Sequence, residues 1–453
     1  MAKTQFNSRI GLIAATVGSA VGLGAVWRFP NEVHSNGGAA FLLIYVACLL
    51  LLGIPVMLAE FSLGRGARGD ALSDFKRFTP RSHWWLAGAC ALFASFLISA
   101  FYMVVAGWTL EYLWQSVTGE LYEGVTVANM DQVFTAKLSE NLTSTWQPII
   151  WALVVIGVNV LILLQGVQKG IERLSNLMMP LLFLLLLVLC CVSLSLPGAS
   201  AGVRYFLMPD FSVITPDVCV DALGQAFFSL SLGMGILLTY SAYYPKDVKL
   251  TGTAFTVTGC ALLVALLMGL IIFPAAASFG LADGDAQLQG TALVFITLPE
   301  IFYQMSGTRV WSILFFLLLA IAAITSTVSV SEVCIQCMQD RFKLSRKKSV
   351  LLVFLPFVIL SPLCSLSLGS GTGLRLFGMS LFDFCDNFST NYLLPIAAFL
   401  TCIYVGFVAP RSLLKNELTN DGTLRGKMYK PMMQLIRYVA PLLIIAIFIY
   451  KFF

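Results

Sequence analysis

The stretch Gly18-Ser-Ala-Val-Gly-Leu-Gly-Ala-Val-Trp-Arg-Phe-Pro30 lies in the middle of the first long apolar run of the chain. Three of its first seven residues are glycine, which is unfavourable inside a helix. A helix that breaks at the depth of the bilayer frees backbone N–H and C=O groups that hydrocarbon cannot satisfy. The stretch therefore predicts a membrane helix interrupted to bind a polar ligand, which is typical of a transporter.

The composition is that of a membrane protein. Of the 453 residues, 58% are hydrophobic and only 11% are charged, whereas soluble proteins carry about 25% charged residues. Apolar stretches of about 20 residues are long enough to cross a bilayer as helices. We predict an all-α integral membrane protein with a single transmembrane domain over 1–453 and 11 transmembrane helices. In chain order, spans 1 to 11 are 10–34, 40–64, 85–115, 147–166, 174–196, 217–243, 253–279, 308–339, 348–366, 380–408 and 432–452.

The basic residues are divided unevenly between the two sides that this topology defines. Most of the 28 Lys and Arg residues fall on the side of the N-terminus, and cytoplasmic segments carry an excess of Lys and Arg. We therefore predict a cytoplasmic N-terminus and an outer C-terminus. The asymmetry accounts for the net charge of +5, so no nucleic-acid partner is expected.

A second glycine-interrupted segment, 224–235, lies in span 6. If each half of the protein has five spans, spans 1 and 6 occupy corresponding positions. Because five is an odd number, the second half then crosses the membrane in the opposite orientation to the first. We predict two inverted repeats, 10–196 and 217–408, with span 11 (432–453) as an extra helix. Paired interrupted spans indicate a binding site at their interface. Close packing of helices through glycine is the alternative.

Motifs over nearly the whole chain resemble those of the neurotransmitter:sodium symporter family, in particular its bacterial amino-acid transporter branch. They are 18–30, Asn36-Gly-Gly-Ala-Ala-Phe41, Glu60-Phe-Ser-Leu-Gly-Arg65, Gly170-Ile-Glu-Arg173, 225–235, Thr325-Ser-Thr327 and Asp383-Phe-Cys-Asp386. The resemblance implies broken helices in spans 1 and 6 and a location in the inner (cell) membrane of a bacterium. It also implies import of an amino acid by alternating access, driven by Na⁺ and without catalysis of a reaction.

The second sodium site of the family is intact in this sequence. The resemblance maps its ligands onto the carbonyls of Gly18, Val21 and Ala322 and the hydroxyls of Thr325 and Ser326. A set of oxygen ligands without thiolate or imidazole suits a hard cation. In the alternative interpretation, the two hydroxyls bond back to carbonyls of their own helix.

The first sodium site of the family is degraded in this sequence. The resemblance maps it onto Ala20, Ala25, Ser229 and Cys260. Ala25 and Cys260 replace side-chain amides, and neither supplies a hard oxygen ligand. Chloride-site positions are matched by Tyr45, Gln225 and Ser229, but Cys260 interrupts that set, and Val264 replaces the carboxylate of chloride-independent relatives. We expect one Na⁺ and no chloride requirement; a weak first site completed by water or a neighbouring residue is the alternative.

The resemblance also outlines a substrate pocket. It comprises Ser19, Ala20, Leu23, Gly24, Ile98, Tyr102, Phe228, Ser229, Ser231, Met234, Ser326 and Val330. The amides of Leu23 and Gly24 and the Tyr102 hydroxyl would hold a carboxylate, and Gly22 leaves room where amine carriers of the family keep an aspartate. The absence of charge predicts a neutral hydrophobic L-amino acid. Tyr102 and Phe228 are alternatively ordinary packing aromatics.

Charged residues match two gates of the family. Arg28 and Asp386 match the outer gate, and an intramembrane charge with a partner is expected to be functional. Lys3 and Asp340 match the inner gate, with Tyr243 and Glu60 as helpers. In span 5, Gly170 and Pro180 have the spacing that lets the helix unwind and open a path for sodium; a simple kink is the alternative.

Other function classes are disfavoured. The chain has two histidines, His34 and His83, and no readable cluster of metal ligands or nucleophile and base, so an enzyme is not expected. The expected partners are Na⁺, a small neutral amino acid and the lipid bilayer, with the protein a monomer or weak dimer. The alternatives are a sodium-independent or proton-coupled transporter or exchanger of the same fold, and a sensor that binds without transport.

Overall fold

The computed structural model of the chain describes residues 5–22, 24–279, 290–369 and 374–452. Most of these residues are helical, and the described strands form one short antiparallel hairpin, Arg375–Leu376 with Met379–Ser380. The prediction of an all-α membrane protein is confirmed.

Nine helices of the described chain are long and apolar enough to cross a membrane. They correspond to spans 2 to 5 and 7 to 11, and their bounds are Ala39–Ala67, Trp85–Thr118, Gln147–Leu164, Val167–Leu194, Leu250–Ser278, Thr308–Phe342, Arg346–Ser367, Leu381–Val408 and Tyr429–Tyr450. Span 1 is a pair of shorter helices, Arg9–Ala20 and Gly24–Ser35, whose axes differ by 51°. The interruption predicted from the glycines is thus present in span 1.

Span 6 is also interrupted, between the helices Pro216–Ser229 and Ile236–Ala242. Left-handed backbone at Ser231 (φ 54°), Gly233 (φ 74°) and Gly235 (φ 74°) turns the chain out of the helix, a conformation that glycine adopts without penalty. Because neither half is long enough to count as a span, the described residues give up to ten spans rather than 11. The count of 11 and the boundaries of the two repeats stay predictions.

Spans 3 and 8 are the longest helices, with 34 and 35 residues, and they pack against each other. Span 8 also contacts Arg9–Ala20, the first half of span 1, and Ile236–Ala242, the second half of span 6. The interrupted spans therefore lie against a long continuous helix that can position side chains opposite both breaks.

Shorter helices cap the spans. They are Ala71–Phe78, Met130–Thr143, Ala199–Leu207, Leu293–Gln304 and Arg411–Thr419. Span 5 begins with a widened turn after Gly166 (φ 83°) and contains Pro180 inside the helix. At that widened turn the Glu172 carboxylate accepts hydrogen bonds from the backbone amides of Asn7 (2.9 Å) and Ser8 (3.0 Å). The start of span 1 is thereby tied to the start of span 5.

Candidate functional site

The two interrupted spans meet, and side chains from one break satisfy backbone groups of the other. The Ser231 hydroxyl of span 6 donates to the carbonyl of Ser19 (2.7 Å) in span 1. The Gln225 side-chain amide donates to the carbonyl of Gly24 (3.0 Å). The backbone N–H of Gly233 donates to the Glu60 carboxylate (2.8 Å) in span 2. These contacts explain how irregular backbone is tolerated here, since it is enclosed in protein.

Span 8 places two hydroxyls against the break in span 1. A Cβ atom at Gly18 would lie 3.5 Å from Cβ of Thr325, and a Cβ atom at Gly22 would overlap Oγ of Ser326. Thr325 Oγ1 donates to the carbonyls of Ile321 (2.9 Å) and Ala322 (3.1 Å). The alternative in which the hydroxyl bonds back to its own helix therefore accounts for the hydroxyl hydrogen of Thr325. The lone pairs of the Thr325 oxygen stay available to a cation.

Ser326 behaves differently from Thr325. Its side chain is buried, with 4% of its surface exposed, and Oγ has no hydrogen-bond partner among the described residues. An unpaired buried hydroxyl is unfavourable unless a ligand completes it. The oxygen-only donor set around the break fits an alkali cation.

A small pocket lies between the two breaks. Its volume is about 20 Å³, enough for about one water molecule. It is lined by Ser19, Ala20, Gly22, Gly24, Ile98, Tyr102, Phe228, Ser231, Met234, Ser326 and Val330. Ten of the 12 predicted substrate residues are thus brought together; Ser229 is buried behind the lining, and Leu23 lies outside the described residues.

A larger vestibule of about 620 Å³ opens beside this pocket. Tyr102 and Phe228 line both spaces, so their rings separate the small pocket from the vestibule. Arg28 and Asp386, the predicted outer gate, also line the vestibule. The arrangement places a wide vestibule that contains charged residues beside a narrow pocket.

The predicted pair of Arg28 and Asp386 is not closed in this conformation. Arg28 instead pairs with Glu32 (3.4 Å), one helical turn along, and its guanidinium lies 5.0 Å from the ring centroid of Phe228. Asp386 accepts a hydrogen bond from Thr390 (3.0 Å). Both side chains line the vestibule, and the Arg28 charge acts on Asp386 without a direct ion pair between them.

The surroundings of the predicted first sodium site are mostly apolar. Ala25 and Val264 are fully buried. The Ser229 hydroxyl is hydrogen-bonded to the Tyr45 hydroxyl (2.8 Å). The carbonyl oxygen of the buried Gln225 side chain has no partner among the described residues. Span 7, which carries Cys260, packs against Gly24–Arg28.

On the opposite side of the breaks, an ion pair that involves the fully buried Glu332 was missed in the sequence. Arg346, at the start of span 9, donates to both carboxylate oxygens of Glu332 in span 8 (2.6 and 2.7 Å). The Tyr243 hydroxyl donates to the same carboxylate (2.9 Å), and the Tyr243 carbonyl accepts from the amide of Phe6 (3.3 Å). Tyr243 thus joins the start of span 1 to this pair.

The other inner-gate predictions have different outcomes. Lys3 lies outside the described residues, so its pairing with Asp340 stays a prediction. Glu60 contacts the break in span 6. It has no hydrogen bond to Tyr243, Glu332 or Arg346, the described residues that together form the inner cluster. Glu332 carried a usable signal, because an acidic residue inside an apolar span requires a partner. Glu172 carried one too, within the Gly170-Ile-Glu-Arg173 motif.

Comparisons with known proteins agree with this architecture. The model of the Sodium:neurotransmitter symporter family matches residues 3–147 and 127–453. An uncharacterized sodium-dependent transporter of Bacillus subtilis (strain 168) is 37% identical over 98% of this chain and 97% of its own length. An uncharacterized sodium-dependent transporter of Haemophilus influenzae is 34% identical over 100% and 98%.

The solved structures give a similar result. The crystal structure of MhsT in complex with L-phenylalanine superimposes with a TM-score of 0.89, at 36% identity, over 99% of each chain. The family predicted from the sequence motifs is confirmed. Together, the interrupted spans, the enclosed pocket and these relatives identify the chain as a member of the sodium:neurotransmitter symporter family, a multi-pass, sodium-coupled membrane transporter and not an enzyme.

Proposed function

We propose that this protein imports a neutral hydrophobic L-amino acid together with one Na⁺, bound at the second sodium site, without a requirement for chloride. The observation that carries the proposal is the unpaired, buried Ser326 hydroxyl beside Gly22 at the break in span 1. A hydroxyl in that position lacks a partner until a cation or a substrate group supplies one.

The proposed substrate follows from the lining of the pocket. None of the described lining side chains is charged, so a charged substrate side chain would be buried without a partner. Met234 is a flexible side chain that adapts to several shapes, which supports a range of aliphatic and aromatic substrates. The similar protein MhsT was crystallised with L-phenylalanine, which agrees with this class.

Binding of an amino acid requires the pocket to enlarge. The Phe228 ring separates the pocket from the vestibule, and Arg28 stacks on that ring. We propose that Phe228 moves to admit the substrate from the vestibule. Arg28 then exchanges Glu32 for Asp386, which closes the vestibule over the occupied pocket.

The proposed stoichiometry rests on the first sodium site. Burying a second cation costs several kcal/mol unless ligands compensate it. Ala25 and Val264 offer no ligand, so among the side chains mapped to this site only the Ser229 hydroxyl, which is hydrogen-bonded to the Tyr45 hydroxyl, carries an oxygen. A bound chloride would likewise lack the cation that balances it.

We further propose a location in the bacterial cytoplasmic membrane, with the N-terminus inside, the C-terminus outside, and the vestibule facing outward. In this interpretation 10–196 and 217–408 are the inverted repeats, and the contacts of Glu172 and Tyr243 with residues 6–8 hold the inner side closed.

Uptake of labelled amino acids into proteoliposomes tests the proposal. We expect uptake that depends on an inward Na⁺ gradient, with a Hill coefficient near 1, and that persists when gluconate replaces chloride. Uptake that a proton gradient drives in the absence of Na⁺ would refute sodium coupling at this site. A Hill coefficient near 2, or loss of uptake without chloride, would refute the stoichiometry.

A gain-of-function variant sharpens the stoichiometry test. The double substitution Ala25→Asn and Cys260→Asn restores two side-chain amides at the first site. We expect the Hill coefficient to rise toward 2 in this variant. The matched control is Ala25→Val with Cys260→Val, which changes the same positions without adding a ligand oxygen and should leave the coefficient near 1.

A further inference from the structure

An apolar groove lies on the outer surface of the helix bundle, away from the interrupted spans. It has a volume of about 250 Å³, larger than the 150 Å³ cavity that suffices to bind benzene or xenon. Three helices form its walls. The lining residues are Ala89, Leu92, Phe93 and Phe96 of span 3, Cys334, Cys337 and Met338 of span 8, and Leu352, Val353 and Pro356 of span 9.

The chemistry of the groove selects a hydrocarbon occupant. None of the described lining side chains carries a nitrogen or oxygen atom, and water in a cavity needs two to four polar partners. Phe93 is 47% exposed and Leu352 is 50% exposed, so the groove opens sideways toward the membrane. An acyl chain is therefore the occupant that the walls accommodate.

The three walls share a second feature at one end, where each leads to a basic side chain. Residues three or four apart lie on the same face of a helix. On span 9, Lys348 precedes Leu352 by one turn. On span 8, Arg341 follows Met338 by one turn. Both basic residues are exposed.

The third wall ends in the same way. Trp85 precedes the lining residue Ala89 by one turn of span 3, and the Lys76 ammonium lies 5.1 Å from the centroid of the Trp85 ring. Tryptophan is enriched at the membrane–water interface. The mouth of the groove therefore lies at the level of the headgroups, with Lys76, Arg341 and Lys348 around it.

Two acidic residues near the mouth, Asp70 and Asp340, act electrostatically on the lining residue Cys337, and the three basic residues outnumber them. The Asp70 carboxylate caps the helix Ala71–Phe78 and accepts from the amide of Leu72 (3.0 Å). Asp340 precedes Arg341 on span 8, about 100° away around the helix. The basic end of the groove also lies on the side that the distribution of Lys and Arg predicts to be cytoplasmic, where basic pockets between helices bind anionic headgroups.

We propose that this groove binds one anionic glycerophospholipid of the cytoplasmic leaflet, with an acyl chain against spans 3, 8 and 9 and its phosphate group held by Arg341, Lys348 and Lys76. Span 8 also carries Thr325 and Ser326, so the bound lipid packs against the helix that positions these hydroxyls. Each basic residue near an anionic headgroup strengthens binding roughly five-fold.

Native mass spectrometry of the purified protein in detergent tests the proposal, with phosphatidylglycerol and phosphatidylcholine of identical chains as probes. We expect one phosphatidylglycerol molecule to be retained at least ten-fold more tightly than phosphatidylcholine. The double substitution Arg341→Gln and Lys348→Gln should weaken phosphatidylglycerol binding about thirty-fold and leave phosphatidylcholine binding unchanged.

The matched control removes the same charge from neighbouring positions, through Lys343→Gln and Lys347→Gln. Lys347 lies one turn before Leu351, which is 61% exposed and is not part of the groove. This control should retain the wild-type preference for phosphatidylglycerol. Equal loss of the preference in both double variants would mean non-specific attraction and would overturn the site.

A second variant tests the acyl-chain part independently. Ala89→Phe fills the groove without altering any charge. Tight binding of phosphatidylglycerol and of phosphatidylcholine should therefore both be lost. Two results would overturn the proposal: retention of the lipid in Ala89→Phe, and a dimer in the wild-type spectrum that excludes the lipid, which would mean that a second copy of the chain covers this face.

Discussion

Replacing Ser326 by alanine should raise the stability of the sodium-free protein and reduce the stabilisation that Na⁺ adds. Without Na⁺, the Ser326 hydroxyl is buried and has no partner among the described residues, a situation that costs about 1–3 kcal/mol. Ser326→Ala removes this unfavourable group, so the free energy of unfolding of the sodium-free protein should rise. With Na⁺, the variant lacks one ligand oxygen and should gain less from the ion.

The size of the second effect can be worked out. An interaction with a charged group contributes about 1.5–3 kcal/mol, and 2 kcal/mol is about a thirty-fold change in affinity. At a Na⁺ concentration 100 times the wild-type dissociation constant, the ion adds about 2.7 kcal/mol to stability. A thirty-fold weaker variant at the same concentration retains about 0.9 kcal/mol.

Tryptophan fluorescence during thermal unfolding, over a series of Na⁺ concentrations, measures both effects. Ser331→Ala is the matched control, because Ser331 is another fully buried hydroxyl of span 8 without a partner among the described residues but is not part of the pocket lining. It should raise stability equally with and without Na⁺. A wild-type response to Na⁺ in Ser326→Ala would refute the assignment of Ser326 as a sodium ligand.

Three further predictions concern other parts of the structure. Glu332→Gln removes the counter-charge of Arg346, whose side chain is 18% exposed, and should lower the free energy of unfolding by about 3 kcal/mol, the low end of the range for buried pairs, as measured by denaturant titration; a smaller loss in Arg346→Lys would show that charge dominates over geometry. Gly22→Ala forces the Ser326 hydroxyl out of position and should reduce uptake at least ten-fold, whereas Gly224→Ala, where a Cβ atom meets nothing within 4 Å, should transport normally. Burial, followed by the Asp131 charge, raises the pKa of Glu300 in the capping helix Leu293–Gln304 to about 7, so wild-type stability should fall as the pH rises from about 4.5 to 7, because the unfolded chain releases this proton first; Glu300→Gln should flatten the fall, and an unchanged profile would mean that Glu300 does not titrate there.

The breaks in spans 1 and 6 were predictable because glycine in an apolar run is a local signal. The partners of the freed backbone groups were not, because they come from distant parts of the chain. Glu60 and Gln225 reach the breaks only after spans 2 and 6 have packed. The sequence likewise contains both Arg28 and Asp386, but whether they pair depends on the conformation, and in the open vestibule Arg28 binds Glu32 instead.

The inner cluster illustrates a different limit. Glu332 and Arg346 lie 14 residues apart and in different helices, so their contact depends on the turn that reverses the chain between spans 8 and 9. Periodicity within one helix carries no information on such a contact. The matching of Tyr243 to a gate position pointed to the region in which the structure places the Glu332–Arg346 pair, but it did not reveal that Glu332 is a partner of Tyr243.

The hydrogen bond from Ser231 to the Ser19 carbonyl has a consequence for turnover. The Ser19 carbonyl already accepts a hydrogen bond from the Ser231 hydroxyl, so the ammonium group of the proposed amino-acid substrate must displace an existing donor in order to bind there. The net gain on loading is then the difference between two similar contacts. Such a small difference suits a carrier. A substrate that binds only slightly better than the Ser231 hydroxyl can be released on the far side of the membrane, and the protein is then ready to return.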